Sequence, residues 1–283
     1  MDFDKHLEAL VNAAIAEDVG SGDHSTLSTI PADATGKAQL KIKEDGVLAG
    51  VTVAQKIFQQ LEPSSSLEIF KQDGESMKYG EVAFIVSAKV HTILKGERLV
   101  LNVMQRMSGI ATLTRKYTEK LEGYHTRVLD TRKTTPNFRL LEKEAVRIGG
   151  GINHRFGLYD MIMLKDNHID FCGGIEKAID RAHEYVQRVD PSLKIEVETR
   201  SLEDVRRVVA MAKGKVFRIM LDNFTPALIR EALPAIGGAF ETEASGGINL
   251  DNLIDYAETG VDYVSVGALI HQARSLDLSL KAM

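Results

Sequence analysis

Seven lysines and arginines and five acids lie between Asp130 and Asp166, so this stretch carries +2 while the rest of the chain carries −7. Arg139, Lys143 and Arg147 fall at helical spacing with Glu142 and Glu144 and read as ion pairs on a helix surface. Arg132, Lys133, Arg155 and Lys165 have no such explanation, and His154 adds a further donor among them. Arginine forks match carboxylates and phosphates bidentately, and lysine supplies point charge. The set suits a small polyanion. Two acids, Glu198 and Asp222, stand where they can share a hard cation such as Mg²⁺. They can equally pair with the nearby bases as structural salt bridges, and the spacing leaves both readings open. A third feature is Ser245-Gly246-Gly247-Ile248-Asn249, followed at a short distance by Ser265-Val266-Gly267. Glycines between a strand and a helix let backbone N–H groups face an anion, and the helix start favours negative charge. Asn249 is placed to cap that helix.

Positioning these residues requires a particular succession of elements. From about residue 125, short apolar runs alternate with helical patterns. The runs are Val128-Leu129, 161–164, 195–197, 216–221, Ala239-Phe240 and 263–266. Helical spacing covers 175–189, 202–212 and 250–258. Such alternation implies parallel strands with helical crossovers, and about six strands make a small or incomplete barrel. Barrel chemistry collects at the carboxyl ends of strands, and each run here leads into charge or glycine: 130–133, 165–168, 196–198, 222–223, 241–247 and 265–267. One inert charged strand end is ordinary; four in succession point to a site.

The first 115 residues have a different rhythm. An amphipathic helix carries Leu7, Leu10, Val11, Ala14 and Ile15 and stops at Gly20-Ser21-Gly22. Alternation at Ala38, Leu40 and Ile42 predicts a strand, 51–61 a helix, and 67–70 and 82–90 two more strands. Residues 96–121 read as one long helix or a broken pair, with Gly109 arguing for the break. The expected domains are therefore 1–115 and 116–269, with a final helix at 270–283 packing back on the first.

Composition narrows the class. The chain has 283 residues, net charge −5, 44% hydrophobic and 27% charged residues, and one cysteine, Cys172. That balance argues against a nucleic-acid or membrane-surface binder. A single cysteine excludes a disulfide framework and fits the cytoplasm, and no apolar run approaches a membrane span. There is no P-loop, GxGxxG, HExxH or Gly-x-Ser-x-Gly motif. His6, His91, His125 and His183 lack ligand spacing and read as surface or packing residues.

The motifs DTRKTTPNFRLLEKEAV (130–146), GGGINHRFGLYDMIMLKDNHI (149–169), VET (197–199), LDNF (221–224), EASGGI (243–248) and VSVGAL (264–269) together resemble the quinolinate phosphoribosyltransferase family. GERLVLNVMQRMSGIAT (96–112) and GDHST (22–26) extend the resemblance over nearly the whole chain. It implies an N-terminal α/β sandwich domain and an incomplete (β/α) barrel. It also implies transfer from phosphoribosyl pyrophosphate to quinolinate with decarboxylation, giving nicotinate mononucleotide, pyrophosphate and CO₂ with Mg²⁺. By motif, Thr131, Arg132, Lys133, His154, Arg155 and Lys165 would bind the substrates, with Arg98 entering from the other subunit of a homodimer. Glu198 and Asp222 would hold ribose and metal, directly or through water. Ser245, Gly246, Gly247, Ser265 and Gly267 would bind the 5-phosphate. Catalytic roles would fall to Lys133, Glu198 and Asp222. Arg200, two residues past Glu198, is placed to form a salt bridge that weakens the metal role. Competing readings are a transferase for nicotinate or a related pyridine or pyrimidine acid, a Schiff-base lyase on Lys165, and an inactive phosphate-binding protein.

Overall fold

A computed structural model describes residues 2–283. In the first part of the chain come α1 (Phe3–Val19), α2 (His24–Thr29), β1 (Thr35–Ile42), β2 (Gly46–Val47), α3 (Val51–Leu61), β3 (Ser66–Ile69), β4 (Ser76–Met77) and β5 (Val82–Lys89). The long helix α4 (Val90–Lys120) leads to β6 (Arg127–Leu129), α5 (Arg139–Ile148), β7 (Ile162–Leu164), α6 (Asp166–Cys172) and α7 (Ile175–Val189). Then follow β8 (Ile195–Thr199), α8 (Leu202–Met211), β9 (Arg218–Asp222), α9 (Pro226–Ile236), β10 (Glu241–Ser245), α10 (Leu253–Ala257), β11 (Tyr263–Ser265), α11 (Ala268–His271) and β12 (Leu278–Ala282).

Two compact units result. One comprises the chain through Arg115 with Thr134–Gly150 and Leu269–Met283; the other comprises Lys116–Lys133 and Gly151–Ala268. The division falls inside α4, and the excursion containing α5 belongs to the first unit rather than to a continuous span from 116 to 269.

The first unit is built on an antiparallel sheet in the order β12-β1-β5-β3. Leu40, Ile42, Phe84 and Val86 are completely buried, as are Ile57 and Phe58 of α3 and Met104, Met107 and Ile110 of α4. The expected C-terminal helix is instead β12, which pairs with β1 from Ala38↔Ala282 to Ile42↔Leu278. Leu278 and Leu280 in it, with Leu276 just before it, recur at every second position, which suits a strand. Gly109 does not break α4: a Cβ there would stand 1.9 Å from the Arg274 carbonyl oxygen, so glycine admits the returning C-terminal segment. The expected surface pairs on α5 are half right. Arg147 does pair with Glu144 at 2.5 Å, but Glu142 is fully buried. It accepts from the Arg106 guanidinium at 2.8 Å and from the Thr135 N–H at 2.8 Å, while Arg139 turns to the Thr134 hydroxyl and Lys143 is buried.

The second unit holds six parallel strands in the order β6-β11-β10-β9-β8-β7, extended beyond β6 by a parallel bridge between Leu129 and Ile152. The sheet curves as a barrel without closing. Most crossovers are helical, as parallel pairing requires. No helix among the described residues is long and apolar enough to cross a membrane.

Candidate active site

Strand register sets the site in layers. Asp222, Ser245 and Ser265 stand side by side on β9, β10 and β11, at their carboxyl ends. One layer deeper on the same face lie Glu198, Met220, Glu243 and Tyr263, and below these Met163, Glu196, Arg218 and Glu241. Residues of the opposite parity, Val197, Ile219, Leu221, Ala244 and Val264, are apolar and completely buried. Glu196 and Glu243 sit on strands separated by β9, roughly 9–10 Å apart in a flat sheet. Both nonetheless reach His154, so the polar face is the concave one, inside the barrel.

Above this interior, the loop after β6 carries Thr131, Arg132 and Lys133. The two bases are exposed and make no ion pair among the described residues, and the Lys133 N–H donates to the Thr131 hydroxyl at 3.0 Å. Arg155 is half-buried and donates to the Met161 carbonyl at 3.2 Å. Burial and the nearby Arg132 both destabilise its charged form and lower its proton affinity. Lys165 caps the start of α6 and pairs with Glu198 at 3.5 Å. Glu198 is therefore bridged by lysine. Arg200 is not its partner: it pairs with Asp170 at 2.9 Å.

Asp222 is half-buried, and its Oδ2 accepts from the Asn223 amide at 2.7 Å. Glu198 and Asp222 supply hard carboxylate oxygens from adjacent strands, a donor set that fits Mg²⁺, with Asp222 free of the lysine that neutralises Glu198. The glycine turn after β10 is built by Gly246 at φ +100° and Gly247 at φ +65°. A Cβ on Gly246 would meet the Asn223 side-chain oxygen at 2.1 Å, so no other residue fits. Asn249 does not cap α10, whose first flanking residue is Asn252. It closes a turn instead, accepting from the Asp251 N–H at 2.8 Å. Gly267 follows β11 immediately before α11. Arg98 lies on α4 in the first unit, exposed and with no ion pair among the described residues.

His154 lies deeper than the other bases expected in the site. It is only 9% exposed, and its Nε2 lies 3.1 Å from Glu196 and 3.3 Å from Glu243, both fully buried. Asp130 accepts from its backbone N–H at 2.8 Å, and the Arg155 N–H points at Nδ1 from 2.7 Å. Arg218 completes the group, 3.0 Å from Glu243 and 3.7 Å from Glu196, its guanidinium over the Tyr263 ring. Burial opposes a charged imidazole, yet the two carboxylates push His154 up to about 9. Burial and its like-charged neighbour Glu243 push Glu196 up to about 7. Burial works to raise Glu243 as well, but His154, Arg218 and the Ser265 hydroxyl outweigh it and hold that carboxyl low. Of this cluster only His154 was named as a site residue from sequence, although Glu196 and Glu243 lie within the charged strand ends. The available signal was charge at every second residue within β8 and β10, with Arg218 at the matching position of β9, a pattern ordinarily taken for solvent exposure.

A parallel α/β barrel whose strand ends carry several bases, a glycine turn and two carboxylates defines an enzyme class that handles small polyanionic substrates. Comparison makes the class specific. The family description "Quinolinate phosphoribosyl transferase, N-terminal domain" matches residues 23–108, and its C-terminal counterpart matches 110–281. The chain is 43% identical to the chloroplastic nicotinate-nucleotide pyrophosphorylase [carboxylating] of Arabidopsis thaliana, over 97% of this chain and 82% of the relative. A probable nicotinate-nucleotide pyrophosphorylase [carboxylating] of Bacillus subtilis is 41% identical over 97% of this chain and 92% of its own. The crystal structure of NadC from Streptococcus pyogenes superposes with a TM-score of 0.88 at 41% identity, covering 96% of this chain and 95% of that one. This chain belongs to the quinolinate phosphoribosyltransferase family.

Proposed function

We propose that this chain transfers the phosphoribosyl group of phosphoribosyl pyrophosphate to the ring nitrogen of quinolinate and removes one carboxyl group. The products are nicotinate mononucleotide, pyrophosphate and CO₂, a step of NAD synthesis. The observation that carries this reading, within a family of that name, is the set of bases at the strand ends: Arg132 and Lys133 are exposed without an ion pair among the described residues, and the half-buried Arg155 guanidinium donates to the Met161 carbonyl. Two arginine forks and a lysine match a dicarboxylate better than a monocarboxylate.

The ring nitrogen is already a nucleophile, so attack on the ribose C1 needs no general base. The N–C bond forms as the C–O bond to pyrophosphate breaks. Holding both substrates in line lowers such a barrier by up to ~7–11 kcal/mol. Arg132 and Arg155 bind the carboxylates, while Lys133 and Lys165 supply charge to carboxylate and pyrophosphate oxygens. Glu198 and Asp222 stabilise positive charge developing at the ribosyl carbon. Ser245, Gly246, Gly247, Ser265 and Gly267 take the 5-phosphate, with Thr131 beside the acid. Mg²⁺, held by Asp222 and Glu198, would shield the pyrophosphate charge. Once alkylated, the cationic ring accepts the electron pair left by departing CO₂, and a proton then replaces it at that carbon.

Arg98 is proposed to complete the site of a second subunit in a homodimer, and its exposed, unpaired guanidinium supports this. The cytoplasm is the proposed compartment, on the single free cysteine; the Arabidopsis relative is chloroplastic by name. The Schiff-base alternative is not favoured: Lys165 is half exposed and bridged to Glu198, unlike the dry pocket that activates a lysine. Purified protein incubated with both substrates and Mg²⁺ is expected to form nicotinate mononucleotide. Turnover of nicotinate without turnover of quinolinate would move the assignment to a monocarboxylate transferase.

A further inference from the structure

Beneath the strand ends, Glu196, Arg218 and Glu243 form a buried ionic group that the proposed chemistry does not touch. His154, Glu196 and Glu243 have the residue types of a metal site, and their ligand atoms lie within 4.8 Å of one another. Charge argues otherwise. Arg218 already stands 3.0 Å from Glu243 and 3.7 Å from Glu196, so the carboxylate oxygens a cation would need face a guanidinium.

What the group does mechanically is clearer still. His154 is gripped at its Nε2 edge by carboxylates from β8 and β10 and at its backbone N–H by Asp130. The next residue along the chain is Arg155.

We propose that Glu243 is a positioning residue: through His154 it fixes the loop that holds the Arg155 guanidinium, and so sets the affinity for the pyridine dicarboxylate. The proposal rests on the quinolinate reading for its kinetic consequence, but not for its geometry. Glu196 on β8 and Asp130, just after β6, face the same loop residue, and Arg218 on β9 stands against Glu196, Glu243 and Glu241, so the effect of Glu243 is exerted within a charged group and not by bulk.

The test uses Glu243→Gln in the full-length enzyme, which keeps the shape and removes the charge. KM for quinolinate is expected to rise about tenfold, with kcat and the KM for phosphoribosyl pyrophosphate changing less than about threefold. In proton NMR of the wild type, the His154 Nε2–H should give a downfield, exchange-protected resonance, shifted upfield or lost in Glu243→Gln. Unchanged quinolinate KM in a folded variant overturns the proposal. So does a wild-type spectrum without that resonance, a readout that needs no variant. If the wild type does not turn over quinolinate, the functional reading fails, and the His154 resonance alone decides the positioning claim.

Discussion

At the scale of single residues, Lys133 and Gly246 make the sharpest demands. Lys133 is exposed on its loop without an ion pair, so its truncation removes nothing that holds the fold. Lys133→Ala should lower kcat by about a hundredfold or more with unfolding free energy within about 0.5 kcal/mol of the wild type, measured by turnover and denaturant titration. Gly246→Ala should raise the KM for phosphoribosyl pyrophosphate, because the added methyl group displaces Asn223 and strains a backbone at φ +100°. His154 makes a pH prediction. Its folded value near 9 lies above its ordinary 6.5, so the native state binds the proton more tightly than the unfolded chain. The stabilisation is complete below about 6.5 and lost as pH rises through about 9, worth at most about 3 kcal/mol. Denaturant titration from pH 6 to pH 10 should show this fall, flattened in His154→Gln. Arg132, Lys133 and Lys165 stand out in the sequence because their charges have no helical partners. Glu196 and Glu243 fall within charged strand ends, but their burial with Arg218 was not legible, because nothing in one sequence marks a charge as buried.

At the scale of elements, periodicity read most of the chain. Helices α3 and α7 fall at the expected residues, and β1, β5, β8 and β9 within two or three positions of them. Failures share a cause. The strand expected at Ala239-Phe240 is β10, Glu241–Ser245, whose inward residues are glutamates and serine. A strand that is polar on its buried face defeats a reading based on apolar runs. The C-terminal strand differs from the expected helix because its five residues are too few to separate a period of 2 from one of 3.6. Gly109 was misjudged because its reason lies 165 residues away in sequence, at the Arg274 carbonyl. Gly109→Ala should therefore cost about 2 kcal/mol or more of stability, well beyond the gain an alanine brings to a helix interior, with thermal unfolding as the check.

At the scale of the whole molecule, the mild acidity conceals a locally basic site, and total charge said nothing of it. The excursion of α5 into the first unit was also invisible, since it depends on Glu142 meeting Arg106 across 36 residues. If Arg98 serves a partner's site, Arg98→Ala and Lys133→Ala are each inactive alone. Refolded together in equal amounts, they should recover about one quarter of wild-type activity, because half of the dimers are mixed and each has one intact site. The most direct measurement remains product identity. Protein, quinolinate, phosphoribosyl pyrophosphate and Mg²⁺ should yield nicotinate mononucleotide and CO₂ in equal amounts, with nicotinate a poor substitute. Efficient use of nicotinate, or product that retains both carboxylates, would contradict the account.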